Sequence, residues 1–246
     1  MVKGRKQKPS QEDVRAYLSL LKEINNERKM KILNLYACLG GNRYKWNEVD
    51  PNIEVTAVEL DPELAKLYQE RFPDDKVVVA DAHQYLLDHY KEFDFIWSSP
   101  PCPTHSRARF WNSSNEDTTT KPIYPDFSLY QEIVFLQHYY KGLYCVENVI
   151  PYYEPLIPGK KRGRHIYWAN FNLPTDLNER RVKISSGNME FERLCKFHEY
   201  DFNKYQGEQR KIKIARNLND CEAGKTIFES ALIAINGYKV KQGELF

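Results

Sequence analysis

Lys31-Ile32-Leu33-Asn34-Leu35-Tyr36-Ala37-Cys38-Leu39-Gly40-Gly41 is a short apolar run that ends in two glycines. It reads as a buried strand running into a turn where backbone can approach a ligand closely. The same kind of run recurs: 31–36, 55–60, 76–79, 93–98 and 142–147 read as strands, with helical stretches at 62–72, 83–90 and 127–140 between them. Strands separated by helices imply βαβ units, hence an α/β fold with a doubly wound, mostly parallel sheet. In such a sheet ligands gather beyond the carboxyl ends of the strands, so the residues that close each run are the candidates for chemistry.

Those residues form a series. The glycine turn of the first run is followed by Glu59 in Val58-Glu59-Leu60-Asp61, where an acid can bind both hydroxyls of a ribose. After the third run comes Asp81 in Ala80-Asp81-Ala82, suited to accept from an adenine amino group. Glycine turn, ribose acid and adenine acid in successive βα turns point to a nucleoside cofactor. The fourth run ends in Ser98-Ser99-Pro100-Pro101-Cys102-Pro103-Thr104-His105-Ser106. Most isolated cysteines are inert core residues, but a thiol between prolines at a strand end is held rigidly over the cleft. The fifth run ends in Cys145-Val146-Glu147-Asn148-Val149, an acid at the same sheet edge. Lys161-Arg162-Gly163-Arg164 then precedes a strand-like run at 165–171, and its two arginines would share one face of an extended segment.

With 246 residues and 41% hydrophobic content, the chain can bury one substantial core. A formal charge of +2 means that any nucleic-acid surface has to be built from locally placed cations. Five cysteines without a Cys-x-x-Cys pair argue against a disulfide framework and a structural zinc site, and for a reducing compartment. No run reaches membrane-spanning length and nothing resembles a signal peptide, so a soluble, cytoplasmic protein with no metal and no membrane partner is expected. Residues 1–29 read as a basic arm (Lys3, Arg5, Lys6, Lys8) and a helix at 11–26 capped by Ser10. A core at 30–171 follows, then a polar, aromatic insert at 172–216 and a returning segment at 217–246 with a helix at 226–235. Within 180–216, ten Lys and Arg face five acids, a candidate phosphate-contacting surface.

Pro-Pro-Cys with a serine four residues after the cysteine, Glu-Asn-Val, and Arg-x-Arg, in that order, resemble the DNA cytosine-5 methyltransferases. The resemblance runs from about 32 to 171 and resumes faintly at about 210–237. It implies a Rossmann-like methyltransferase fold with a small target-recognition insert, S-adenosyl-L-methionine as cofactor and double-stranded DNA as partner, most simply as a monomer. It also implies Cys102 as nucleophile on cytosine C6, Glu147 on the base's Watson–Crick edge, and Arg164 with Arg162 on O2. The cofactor would meet Tyr36, Ala37, Cys38, Leu39, Gly40, Gly41, Glu59, Leu60, Asp81, Ala82 and Pro101. Ser106, Arg107 and Arg109, on a closing loop at 103–125 that includes Trp111, would contact DNA around a flipped base.

The chain departs from the family's pattern in four places. Cys38 stands where a glycine is usual, which argues against a glycine-only backbone there. Pro103 replaces a glutamine, and Lys160 another. Gly224-Lys225 is the nearest candidate for a Gly-Asn that opens the last helix, and would put Lys225 near the methionine end of the cofactor, where it could favour a carboxylated analogue. A tRNA cytosine methyltransferase would share the core, although the Cys-Phe-Thr tripeptide usual in that branch is missing from this sequence. A non-catalytic DNA-binding relative is the other alternative. The compact length suggests a phage or mobile-element origin, with a restriction-related role among the possibilities.

Overall fold

The computed structural model describes residues 28–114, 120–183 and 189–243. The expected N-terminal arm and the helix at 11–26 lie outside the described residues, as does 115–119 of the polar loop. Among the described residues seven strands form one sheet: β1 (Met30–Leu35), β2 (Ile53–Glu59), β3 (Lys76–Val79), β4 (Phe95–Ser98), β5 (Leu143–Val149), β6 (Lys160–Arg162) and β7 (His165–Ala169). Their order is β3-β2-β1-β4-β5-β7-β6. The first five are parallel, and β7 runs antiparallel against both β5 and β6. This is a Rossmann-like, mostly parallel sheet whose strand order reverses at β1 and β4, where a doubly wound fold opens its ligand crevice.

The helices are α1 (Trp46–Val49), α2 (Pro62–Arg71), α3 (Ala82–His89), α4 (Arg107–Ser114), α5 (Ser128–Tyr139), α6 (Glu190–His198), α7 (Lys211–Asn217) and α8 (Cys221–Gly243). Alternate strand residues feed two cores, because successive side chains leave opposite faces of a strand. Ile32, Val55, Phe95 and Trp97 pack with Trp46 of α1 and with Ile227, Phe228 and Ala231 of α8. Leu33, Leu35, Val58 and Ile96 pack with Leu86 of α3 and with Leu129, Ile133 and Leu136 of α5. Both faces are covered, which is why the strands read as continuous apolar runs rather than alternating ones.

Phe228 lies 5.4 Å from Trp46 and 5.9 Å from Phe95, ring centre to ring centre. Truncating such a buried ring costs about 3–5 kcal/mol. Helix α8 approaches the β1 loop so closely that a Cβ at Gly224 would overlap the Asn42 backbone carbonyl. The helix expected at 226–235 is the middle of this longer one.

The insert packs on the core directly. Leu194 of α6, Ile214 and Ala215 of α7, and Phe202 and Tyr205 between them bury against Leu39 and against Leu64 and Leu67 of α2. Part of the insert's positive charge is already neutralised: Arg216 forms a two-pronged pair with Glu190, and Arg180 pairs with Asp220.

Candidate active site

The carboxyl ends of β1 to β5 open into one cavity of about 1730 Å³. On the β1 side the chain turns sharply: Tyr36, Cys38 and Gly40 all have left-handed backbone, at φ 55°, 48° and 66°. Cys38 therefore adopts the conformation its side chain argued against, at a cost of about 1–2 kcal/mol. Its N–H donates to Glu59 Oε2 at 2.8 Å, which helps hold it there. Burial pushes the Cys38 thiol up to about 12, so it stays a thiol.

Glu59 is almost fully buried at the end of β2 and also accepts from the Asp61 N–H at 3.0 Å. Burial raises its pKa against these two hydrogen bonds. Asp81 caps α3 by accepting from the Gln84 N–H and lines the cavity with Ala82 and His83. Leu60, 66% exposed, presents apolar surface to the same space. Two acids, an uncovered leucine and a tight backbone turn suit a nucleoside with a ribose and a flat base. Tyr36, Ala37, Gly41 and Pro101 line the cavity as well. Leu39 does not: its side chain is buried against α2 and the insert. Gly40 lies too close to Tyr68 and Phe72 for any side chain.

The nucleophile candidate sits on the neighbouring turn. Cys102 follows β4, and its carbonyl accepts from the N–H groups of His105 and Ser106 at 3.0 and 3.1 Å, which folds the chain toward α4. Asn148 of β5 donates to the Pro100 carbonyl at 2.9 Å and braces the proline loop. Burial, and then the charge of Glu147, push the Cys102 thiol up to about 11; Lys213 of α7 pulls the other way. Glu147, buried on β5, accepts from Asn219 Nδ2 at 3.2 Å and has His165 Nε2 3.5 Å away. Burial opposes charge on His165, but Glu147 and Glu179 outweigh it and raise its pKa.

The arginines separate. Arg164 lines the cavity, whereas Arg162 donates to the Pro174, Lys161 and Leu173 carbonyls and does not line it. They do not share one face of an extended segment, because Gly163, at φ 53°, turns β6 back onto β7 with two residues between the strands. Lys225 is likewise outside the cavity lining: its ammonium donates to Glu48 at 2.8 Å across α1 and α8. Asn219, just ahead of α8, is the side chain that reaches the cleft, where it also donates to Ser99 Oγ at 3.1 Å. Ser106 and Arg107 line the cavity too, although Arg107 Nε is bonded to the Pro151 carbonyl at 3.1 Å. Arg109 donates to the Lys121 carbonyl at 3.3 Å.

One buried group has no counterpart in the sequence reading. Glu132 of α5 accepts from Tyr36 Oη at 2.5 Å and Ser98 Oγ at 2.7 Å, and faces His83 Nδ1 at 3.0 Å. It ties the turn after β1, the end of β4 and the start of α3 to one carboxylate. The hydrogen bond to Glu132 raises the His83 pKa against burial, helped by the charges of Asp81 and Asp126. Among the described residues no group of three or more His, Cys, Asp or Glu side chains could hold a metal ion. No described helix is long and apolar enough to cross a membrane.

Residues 30–132 match the family model for C-5 cytosine-specific DNA methylase. The matched segment is less than half the chain and contains the β1 turn, Glu59, Asp81, Cys102 and the carboxylate of Glu132. No curated protein matches the chain. Among solved structures, a Spodoptera frugiperda DNMT2 mutant aligns at 25% identity and a TM-score of 0.36, over 49% of this chain and 36% of that one. A Thermus thermophilus hypothetical protein aligns at 17% identity and a TM-score of 0.37, over 69% and 90%. An S-adenosylmethionine-dependent methyltransferase from Agrobacterium tumefaciens aligns at 15% and 0.35, over 55% and 44%. The chain spans about a third of the length of the insect protein. The methylase match indicates S-adenosylmethionine as the cofactor.

Proposed function

We propose that the protein methylates C5 of cytosine in DNA through a covalent Cys102 adduct. The observation that carries this reading is that Cys102, Glu147 and Arg164 line one cavity with Glu59 and Asp81, with Cys102 just past β4 and Glu147 on the neighbouring β5. Glu59 would hold the ribose of S-adenosylmethionine and Asp81 its adenine, with Leu60 against the base. That cofactor supplies an electrophilic methyl group.

Cytosine C5 is too poor a nucleophile to accept a methyl group unaided. Addition of the Cys102 thiolate forms an Sγ–C6 bond and moves the C5–C6 electron pair onto C5, making the ring enamine-like. Glu147 binds the exocyclic amine and holds a proton at N3, which offsets the negative charge gained as sulfur adds. Asn219 fixes that carboxylate, and Arg164 receives O2. C5 takes the methyl group as its bond to the sulfonium sulfur breaks, which would leave a neutral thioether; loss of the C5 proton to water then returns an electron pair to the ring, expels Cys102 as thiolate and gives the N3 proton back to Glu147. A stacked base cannot reach these groups, so the cytosine is flipped out of the duplex.

The test is covalent capture on duplex DNA carrying 5-fluorocytosine, where fluorine replaces the proton whose loss releases the enzyme. A complex stable to denaturant is expected with S-adenosylmethionine and wild type, and none with Cys102→Ser. Equal capture by Cys102→Ser would end the mechanism; capture on tRNA but not on DNA would move the substrate to RNA.

A further inference from the structure

A second cavity, of about 320 Å³, opens beside Cys102 on the side of the insert. It shares Cys102, Pro103, Ser106 and Lys213 with the main cleft and adds Arg109 and Arg210. Among the described residues no aspartate or glutamate lines it. Arg210, Lys213 and Arg216 recur every three residues, at the N-cap and along one side of α7, while Ile214 and Ala215 are buried against the core. The cations are not equivalent. Arg216 is paired with Glu190 and Arg109 is bonded to a carbonyl, but among the described residues Arg210 and Lys213 have no carboxylate partner. Like charges gathered in a concave site repel one another and concentrate an incoming anion.

We propose that this cavity is a phosphodiester site in which Arg210 and Lys213, with Ser106 and Arg109 of the same lining, grip the strand next to the target nucleotide. The proposal rests on the nucleic-acid reading above and names the part of the insert that carries it. Of the ten cations between 180 and 216, Arg210, Lys213 and Arg216 line this cavity with the nucleophile, and among the described residues the first two have no carboxylate partner. The interaction is blind to sequence, because phosphate carries no base identity. It would fix the strand's register so that the neighbouring base enters the Cys102 side of the main cleft. The cavity has room for roughly ten waters, enough for a phosphate group and its remaining hydration.

The experiment measures binding of a cytosine-containing duplex by fluorescence anisotropy between 50 and 200 mM salt. Wild type, Arg210→Gln, Lys213→Gln and the double variant are compared, with Lys161→Gln as a surface control. Removing one cation that neutralises a phosphate should flatten the slope of log affinity against log salt by about 0.9. The double variant should therefore flatten it by about 1.8, equally on unrelated sequences, with S-adenosylmethionine affinity unchanged and the control unmoved. Unchanged slopes in all three variants, while wild type still gives the 5-fluorocytosine adduct, would overturn the site and leave the methylase reading intact. Failure of wild type to bind or be captured on nucleic acid would overturn both. Lys213 also lowers the Cys102 pKa. A shifted pH profile for Cys102 alkylation in Lys213→Gln, with an unchanged salt slope in every variant, would assign that lysine to the thiol and overturn the phosphate site.

Discussion

Glu147→Gln should make Cys102 a more reactive thiol and the protein a poorer catalyst. Cys102 is raised from 9.0 to about 11, with burial the larger cause and the Glu147 charge the next. At pH 8 a thiol at about 11 is about one part in a thousand thiolate. Removing the carboxylate charge while keeping a carbonyl oxygen for Asn219 recovers the smaller share of the rise. A drop of about half a unit to one unit is expected, which raises the thiolate fraction at pH 8 about three- to tenfold. The assay is iodoacetamide alkylation from pH 7 to 11, read on the Cys102 peptide by mass spectrometry. Cys38, Cys145 and Cys221 are raised by burial as well and should lag behind. Methyl transfer should fall in the same variant, because a glutamine cannot hold the N3 proton. A Cys102 midpoint that stays put or rises would refute the electrostatic link between the two residues.

His198 is buried, donates to the Ala215 carbonyl and is held down to about 4, mainly by burial. Its unfolded form takes a proton near 6.5, so between those values the unfolded state binds more protons and stability falls as pH falls. The decrease at pH 5 is about 2 kcal/mol relative to neutral pH. Urea unfolding of His198→Gln should show a flatter dependence between pH 7 and 5, and a dependence as steep as wild type would rule the histidine out. Glu132→Ala leaves the hydroxyls of Tyr36 and Ser98 without their buried acceptor, and a decrease of about 2–4 kcal/mol in unfolding free energy is expected. A decrease below about 0.5 kcal/mol would show that water replaces the carboxylate.

The sheet is legible because its strands are buried on both faces: the run at 76–79 is β3 to the residue, β1, β2 and β5 differ from their sequence readings by one or two residues at each end, and β4 differs by two at its start alone. Helices α6 and α7 are not, since each buries few side chains and their sequences look polar. Lys160–Arg162 pairs as a strand only because β7 offers it an edge, which three basic residues do not announce. That Cys102, Glu147 and Arg164 meet in one cavity is legible because residue type and position beside a strand end coincide. Arg162 misleads because the turn at Gly163 is a matter of backbone geometry. Glu132 hides in an apolar helical run where a lone acid looks like a solvent-facing one, and Asn219 belongs to no element that would mark it.

The close seat of Gly224 against Asn42 has a consequence for how the chain reaches its native state. Trp46, Phe95 and Trp97 belong to the stretch that matches the methylase family, but the side chains that cover them include Ile227 and Phe228 of α8, more than a hundred residues further on. Excised alone, the matched segment would lack the α8 side chains that cover this aromatic face. Contacts across so long a span close after local ones, so α8 is expected to dock late in refolding, which pulsed hydrogen exchange on its amides would check. The same docking carries Asn219 to Glu147, so the active site becomes complete only when the core does.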